Sequence, residues 1–118
     1  MPLETVKAIA DARKRGGRVV CIGTTAARAI ETYAQIAERG DPLSEAVDTR
    51  ILISPGYQWR WVDAMLTNFH LPHSTLLAMV GSLFEASGGL ERLKAIYAVA
   101  IQERYRFFSY GDAMLVLP

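Results

Sequence analysis

The feature that most constrains the fold is a short apolar run that a glycine joins to a helix. Residues 18–22, RVVCI, are β-branched and apolar on both faces, which is typical of a buried strand in a parallel sheet. Gly23 and two threonines follow, and then apolar residues recur at helical spacing. That helical face consists of Ile30, Tyr33, Ala34 and Ala37. A strand that leads directly into a helix predicts an α/β layer structure.

Helices and apolar runs alternate along the rest of the chain. A first helix, with Leu3, Val6, Ile9 and Ala10 on its apolar face, precedes the first strand. Further buried strands are predicted at residues 50–54 (RILIS) and 113–117 (AMLVL), and an alternating strand with one wetter face is predicted at residues 58–62 (QWRWV). Two more helices are predicted after Ser74, which is expected to be an N-cap, and after residues 87–89. We therefore predict one α/β domain over residues 1–118, three-layered, with a mostly parallel sheet flanked by helices.

Composition limits the classes of function. A net charge of +1 over 118 residues gives no support for a large nonspecific nucleic-acid surface, although it allows a local basic patch. The single cysteine, Cys21, lies in the first strand, which favours a buried thiol and a reducing compartment. No stretch approaches the roughly 18 apolar residues of a membrane span, and the N-terminus lacks an apolar signal core. We therefore expect a cytoplasmic protein without membrane contact.

The stretch CIGTTAAR, residues 21–28, is the first candidate for ligand binding. The amides and the dipole of a helix N-terminus attract anions, and Thr24 and Thr25 can add hydroxyl groups there. In the alternative interpretation, one threonine only caps the helix. Arg28 lies in the first turn, where a cation opposes the helix dipole and invites an anionic partner. That partner is a ligand carboxylate or phosphate, or else Glu31 or Glu38.

Asp63 closes the segment ISPGYQWRWVD, residues 53–63. The aromatic and guanidinium groups of this segment offer stacking surfaces for bases, although tryptophans on a half-buried sheet face usually belong to the core. At the carboxyl end of a parallel strand, Asp63 would point into the crevice where α/β proteins bind ligands. Capping of the following segment is the alternative role for this carboxylate.

The stretch TNFHLPHST, residues 67–75, places hydroxyl, amide and imidazole groups between two apolar runs. We expect Asn68 and His70 to hydrogen-bond a ligand or to lock the loop. His70 and His73 have a spacing that binds zinc on a helix, but Pro72 disfavours a helix and no third ligand stands close. We therefore predict no metal site.

The stretch YRFFSYGD, residues 105–112, concentrates aromatic and cationic groups before the last predicted strand. Asp112 follows a glycine at an apparent turn. Its carboxylate could act as a general base or accept a hydrogen bond from a sugar hydroxyl. A carboxylate that only shapes the turn is the alternative.

Three of these stretches together resemble one known family. VVCIGTTAAR, PGYQWRWVDAMLTNFHLPHSTLLAMV and YRFFSYGDAML are similar, in this order, to the C-terminal portion of the S-adenosylmethionine:tRNA ribosyltransferase-isomerases of queuosine biosynthesis. The resemblance covers essentially all of the chain. The chain departs from the usual family pattern at Ala26, at Ser54 and in SLFE, residues 82–85, so details of the pocket near the second helix can differ.

The resemblance implies a reaction and its substrates. The ribosyl portion of S-adenosylmethionine moves to 7-aminomethyl-7-deazaguanine at the wobble position of tRNA. It rearranges to give epoxyqueuosine, and adenine and methionine are released. S-adenosylmethionine is a co-substrate in this scheme, and no further cofactor or metal is implied. The family architecture adds an N-terminal region and a β-barrel domain, so this chain resembles a Rossmann-like half of a larger enzyme.

The resemblance also implies roles for particular residues. His70 is the first choice for acid–base work, followed by Asp112 and Asp63. Thr24, Thr25 and Arg28 are expected to hold an anionic group, either the methionine carboxylate or a tRNA phosphate. Base or sugar contacts are expected from Asn68, Arg106 and Tyr110. The other predicted substrate-binding residues are Pro55, Gly56, Thr67, Ser74, Thr75, Ser109 and Gly111.

The chain lacks the N-terminal part of the family architecture, and this leaves several interpretations open. We expect it to be an incomplete portion of the enzyme that is inactive by itself, with the missing part as its partner. A short natural homologue is a second interpretation. The alternatives in function are a noncatalytic nucleotide- or RNA-binding module, and a domain that pairs with a separate N-terminal protein.

Overall fold

The computed structural model of the protein describes residues 1–71 and 74–118, and it contains helices on one side of a small sheet. In chain order the elements are α1 (Leu3–Lys14), β1 (Val20–Ile22), α2 (Thr24–Arg39), β2 (Ala64–Asn68), α3 (Thr75–Leu83), a 3-10 turn (Glu85–Ser87), α4 (Gly89–Gln102) and β3 (Ala113–Val116). All four predicted helices are present, but Ala37, which was expected on the apolar face of α2, is exposed.

The sheet has the order β1-β2-β3 and is mixed. β1 and β2 are parallel, with Cys21 opposite Met65, whereas β2 and β3 are antiparallel, with Met65 opposite Val116. The prediction of a mostly parallel sheet is therefore wrong. The connection from β2 to β3 passes through two helices, α3 and α4, and β3 then runs back along β2 in the opposite direction.

One face of the sheet carries the hydrophobic core. Cys21, Met65 and Val116 lie on that face and are buried in one cluster with side chains from three helices. Those helical side chains include Ile30 of α2, Leu77 and Val80 of α3, and Leu93 and Tyr97 of α4. Phe69, which follows β2, extends the cluster towards the C-terminal loop.

The opposite face of the sheet is largely uncovered. Val20, Ile22 and Leu115 lie on it, and they are 51%, 75% and 54% exposed. The prediction that residues 18–22 are buried on both faces is therefore wrong, since Cys21 is buried and its neighbours are not. The radius of gyration, 15.0 Å, also exceeds the roughly 13.5 Å expected of a compact domain of this length.

Two predicted strands are not strands, and one strand was not predicted. Residues 50–54 form no ladder, although Ile53 is buried in the core. Residues 58–62 form no ladder either, because the backbone N–H groups of Arg60, Trp61 and Val62 all donate to the side chain of Glu31. The central strand is β2, whose last two residues belong to the polar stretch TNFHLPHST.

None of the helices in the described part of the chain is long and apolar enough to cross a membrane.

Candidate functional site

A cleft of about 340 Å³ opens where β1 and β2 end. The predicted site residues that line it are Thr24, Thr25, Thr67, Asn68 and His70. The carboxyl ends of parallel strands are the usual ligand position in α/β proteins. A second cleft of similar volume lies between α4 and β3, but its lining is mainly apolar and includes none of the predicted site residues.

The junction between β1 and α2 forms one wall of the cleft. Gly23 has φ of +91°, a conformation that favours glycine, and its N–H donates to the carbonyl of Leu66 at 2.8 Å. Gly23 is also the N-cap of α2, so the interpretation that a threonine caps this helix is wrong. Thr24 and Thr25 are the first two residues of the helix, where backbone amides lack helical partners. Amides and hydroxyls are therefore available to an anion here.

His70 forms the other polar wall. Its Nε2 lies 2.9 Å from Oγ1 of Thr67, and its backbone N–H donates to the hydroxyl of Tyr97 at 2.8 Å. Burial lowers the pKa of His70 below its usual value of 6.5, because a charged ring loses hydration there. Burial therefore favours the neutral form of the imidazole.

An aromatic cluster ties the C-terminal loop to the same end of the sheet. The ring of Phe69 packs on Tyr97, Tyr105 and Phe107, with centroid distances of 5.4, 5.7 and 5.2 Å. The N–H of Phe108 donates to the carbonyl of Phe69 at 3.0 Å. Residues 105–112 are thereby held beside the cleft.

Asp112 lies at the start of β3, next to Ala113, which pairs with Asn68 and lines the cleft. Its carboxylate accepts hydrogen bonds from the backbone N–H of Arg106 and from the guanidinium of the same residue. These contacts, the backbone bond first, lower the pKa of Asp112. An ionised carboxylate that already accepts hydrogen bonds from a residue six positions away is a weak proton acceptor. The geometry thus favours the turn-shaping alternative for Asp112.

Asp63 does not lie where the sequence predicted. It precedes β2, at the amino end of the sheet, whereas the cleft is at the carboxyl ends. Its carboxylate accepts from the N–H of Val19 at 2.7 Å and forms an ion pair with Arg13 at 3.1 Å. The predicted position of Asp63 in the crevice is wrong, because the strand that it was expected to end is absent and the strand that it precedes is β2.

Arg28 and Thr75 are separated from the main cleft. They line a smaller cavity of about 130 Å³ between α2 and α3, where the guanidinium of Arg28 donates to the carbonyl of Ile51 at 3.2 Å. The structure therefore divides the predicted anion-binding group: Thr24 and Thr25 face one cavity and Arg28 another.

The remaining predicted residues occupy turns and a helix cap. Ser74 accepts a hydrogen bond from the N–H of Leu77 at 3.2 Å, which confirms that it is the N-cap of α3. Gly56, next to the exposed Pro55, has φ of +90° and donates its N–H to Glu85 at 2.6 Å. Residues 109–111, which are Ser109, Tyr110 and Gly111, form an exposed turn before Asp112.

Glu31 is the important residue that sequence reasoning misplaced. The sequence suggested it as a possible partner of Arg28, but it is fully buried. Its carboxylate accepts four hydrogen bonds of 2.8–2.9 Å, from the hydroxyl of Tyr57 and from the backbone N–H groups of residues 60, 61 and 62. Burial and the bond to Glu31 raise the pKa of Tyr57, so that its hydroxyl remains a donor. Helical spacing from the buried Ala27 and Ala34 was the available signal.

Among residues 1–71 and 74–118, no group of three or more histidine, cysteine, aspartate and glutamate side chains could hold a metal ion. His73 lies outside the described residues, and so does any contact between His70 and His73.

Comparison with known proteins identifies the family. The family model described as "Queuosine biosynthesis protein" matches residues 1–116. The chain belongs to this family. The match confirms the resemblance that the three signature stretches predicted.

Members of the queuosine biosynthesis family with high similarity carry a more specific name. The chain is 52% identical over 116 residues to the S-adenosylmethionine:tRNA ribosyltransferase-isomerase of Thiobacillus denitrificans, and the match covers 98% of this chain and 32% of the relative. It is also 52% identical to the enzyme of the same name from Cupriavidus pinatubonensis, over 96% of this chain and 31% of the relative. The chain thus spans about a third of the length of these curated relatives.

A solved structure of the family has the same fold. The crystal structure of S-adenosylmethionine tRNA ribosyltransferase from Thermotoga maritima matches with a TM-score of 0.82 and 42% identity. The match covers 98% of this chain and 39% of that chain. A small mixed sheet flanked by helices is therefore shared with an enzyme of this family.

Proposed function

We propose that this chain supplies part of the reaction centre of a tRNA-modifying transferase-isomerase. The reaction moves the ribosyl moiety of S-adenosylmethionine to 7-aminomethyl-7-deazaguanine in tRNA and gives epoxyqueuosine, in the cytoplasm and without a metal. The observation that carries this proposal is the cleft in which GTT, residues 23–25, and TNFH, residues 67–70, meet. The chain spans about a third of its relatives, so the proposal includes that it is inactive by itself.

The helix N-terminus in this cleft is assigned to an anionic group. Thr24 and Thr25 offer hydroxyls beside free amides of α2, and Gly23 allows close approach because it lacks a side chain. The group bound there is the methionine carboxylate of S-adenosylmethionine or a phosphate of the tRNA. Arg28 and Thr75, in the neighbouring cavity, are assigned to a second contact with the same substrates.

His70 is assigned to direct contact with the reacting groups. The reaction requires removal of a C5′ proton next to the sulfonium and stabilisation of adenine as it leaves. A neutral imidazole can serve either need, since it carries one donor and one acceptor nitrogen. Its fixed backbone and its position on the cleft wall support this role.

The C-terminal loop is assigned to the base and sugar of the substrate. Asn68 is exposed in the cleft, while Arg106 and Tyr110 lie on the loop that Phe69 holds beside it. Asp112 contributes by keeping this loop folded around Arg106. Asp63 is assigned to the attachment of α1 and takes no part in the reaction.

The uncovered face of the sheet supports a proposal about architecture. Ile22, at 75% exposure, and Leu115 present apolar surface that a complete domain would bury. We assign this face to the part of the family architecture that the chain lacks. That part would supply the third layer, so that residues 1–118 form one Rossmann-like half of a layered domain.

A chimeric enzyme tests the proposed function. This chain replaces the corresponding third of the Thiobacillus denitrificans enzyme, and single-turnover formation of epoxyqueuosine is measured with S-adenosylmethionine and modified tRNA. We expect the chimera to react and the isolated chain not to. His70→Ala in the chimera should reduce the rate by about 100-fold, the range typical of a lost acid–base or polarising group.

One control variant and two contrary outcomes decide between the interpretations. Lys94→Ala, on the exposed surface of α4, should leave the rate unchanged. A chimera that folds and binds both substrates but forms no product would contradict the enzymatic proposal and favour a noncatalytic binding module. A near-normal rate with His70→Ala would remove this residue from the chemistry.

A further inference from the structure

The hydroxyl of Thr67 is buried against the imidazole of His70. The side chain belongs to a residue that is only 4% exposed, and its Oγ1 lies 2.9 Å from Nε2. Within the described residues, Oγ1 has no other hydrogen-bond partner. Each group is therefore the nearest hydrogen-bond partner of the other.

Only one arrangement of protons leaves no buried donor unsatisfied. If Nε2 carried the proton, Thr67 would accept it, and the hydroxyl hydrogen of Thr67 would have no acceptor. A buried polar hydrogen without a partner is costly. If Thr67 donates to Nε2, its own hydrogen is satisfied and the proton of the neutral ring resides on Nδ1. The second arrangement is therefore favoured.

The surroundings of His70 hold the ring in place for this contact. The N–H of His70 donates to the hydroxyl of Tyr97 on α4. The residue before it, Phe69, packs in the aromatic cluster. Thr67 comes from β2, where it pairs with Met114. Strand, helix and loop thus fix the backbone on both sides of the Thr67–His70 contact.

We propose that Thr67 is a positioning residue that donates to Nε2 of His70 and holds the neutral imidazole as an Nδ1–H hydrogen-bond donor. This inference rests on the proposed function, and it narrows the role of His70 to one of the two alternatives. His70 then is not the base that removes the C5′ proton. It stabilises the electron pair that the breaking glycosidic bond leaves on adenine, and no proton leaves the ring in that step.

Nitrogen NMR of the histidine ring tests the inference without an activity measurement. The 118-residue chain is labelled with ¹⁵N-histidine, and His73→Gln assigns the second ring. At pH 8 we expect Nδ1 of His70 to show the protonated, pyrrole-like shift and Nε2 the unprotonated, pyridine-like shift. The opposite pattern overturns the inference. If the chain alone gives no dispersed amide spectrum, the same labelling is applied to the chimeric enzyme.

Substitution of Thr67 links the tautomer to the reaction. Thr67→Val removes the donor at nearly constant volume, so we expect the ring to change to Nε2–H and the single-turnover rate of the chimera to fall about tenfold. Thr67→Ser retains the hydroxyl and should restore both the tautomer and the rate. A valine variant with an unchanged tautomer contradicts the inference.

The two proposals fail in distinguishable ways. Normal turnover of the His70→Ala chimera would refute the role of His70 and leave the tautomer result standing. An Nε2–H ring in an enzyme that still depends on His70 would refute the further inference alone.

Discussion

The buried carboxylate of Glu31 holds three consecutive backbone N–H groups, those of residues 60–62. A fully buried acid is stable only when hydrogen bonds replace its hydration, and four donors from residues 57–62 do so. Those donors lie directly before Asp63 and β2, so the bonds also fix where β2 begins. A residue of α2 thereby sets the position of Thr67 and His70 on the cleft wall.

Glu31→Gln should destabilise the chain by about 2–3 kcal/mol, because an amide turns two donor hydrogens towards backbone N–H groups that need acceptors. Urea denaturation measures this difference in the free energy of unfolding. Glu91→Gln is the matched control: the side chain of Glu91 is 85% exposed, and the change should stay below about 0.5 kcal/mol. Equal effects of the two substitutions would show that the four bonds contribute nothing specific.

His70 should make stability depend on pH. Its pKa in the folded protein is lower than the value of 6.5 in the unfolded chain, so the unfolded state binds the proton more readily. The contribution of His70 to the free energy of unfolding is therefore largest above pH 6.5. It declines as the pH falls from 6.5 to the pKa of the folded protein, and it does not change further below that pKa. His70→Gln should remove this pH dependence. The free energies of unfolding of the two proteins, measured from pH 8 to pH 5, should therefore differ by an amount that changes with pH. Parallel curves for the two proteins would contradict the prediction.

At the scale of elements, periodicity predicted helices better than strands. An amphipathic face identifies a helix from its own residues, as Leu93, Tyr97 and Ala100 do in α4. A strand needs a partner, and the apolar run at 50–54 shows that burial alone does not supply one. The backbone at 60–62 gives its hydrogens to a side chain from another element, which no local pattern reveals. The strand β2 was missed because its polar end, Thr67 and Asn68, interrupts the apolar pattern where it lines the cleft.

The close approach of α3 and α4 predicts that an alanine in α3 lowers the stability of the chain. A Cβ added at Gly81 would lie 3.0 Å from Cα of Leu90, so the two helices would have to separate. Gly81→Ala should therefore destabilise the chain by about 1–3 kcal/mol, although alanine is the better helix former. Ala95→Gly, on the exposed side of α4, is the control and should cost only the ordinary helix-propensity difference of about 1 kcal/mol. A more stable Gly81→Ala protein in thermal melts would refute the packing argument.

At the scale of the whole molecule, the exposed sheet face should be a contact surface for the rest of the family architecture. We expect the chain to form a one-to-one complex when it is coexpressed with the remaining two-thirds of the Thiobacillus denitrificans enzyme. Ile22→Arg should abolish that complex, because a charge would enter an apolar interface. Val99→Arg introduces the same charge at 56% exposure on α4 and should leave the complex intact. Size-exclusion chromatography with light scattering distinguishes the outcomes, and equal loss with both variants would place the interface elsewhere.

The thiol of Cys21 reports how often this sheet opens. The thiol is 2% exposed on the core face of an edge strand, and burial raises its pKa to about 11. A thiol reagent can therefore modify it only during moments when β1 detaches from β2 or α2 lifts away. Because the chain has a single cysteine, the modification rate reports these openings alone. A partner seated on the opposite face of the sheet should slow that rate without touching the sulfur atom.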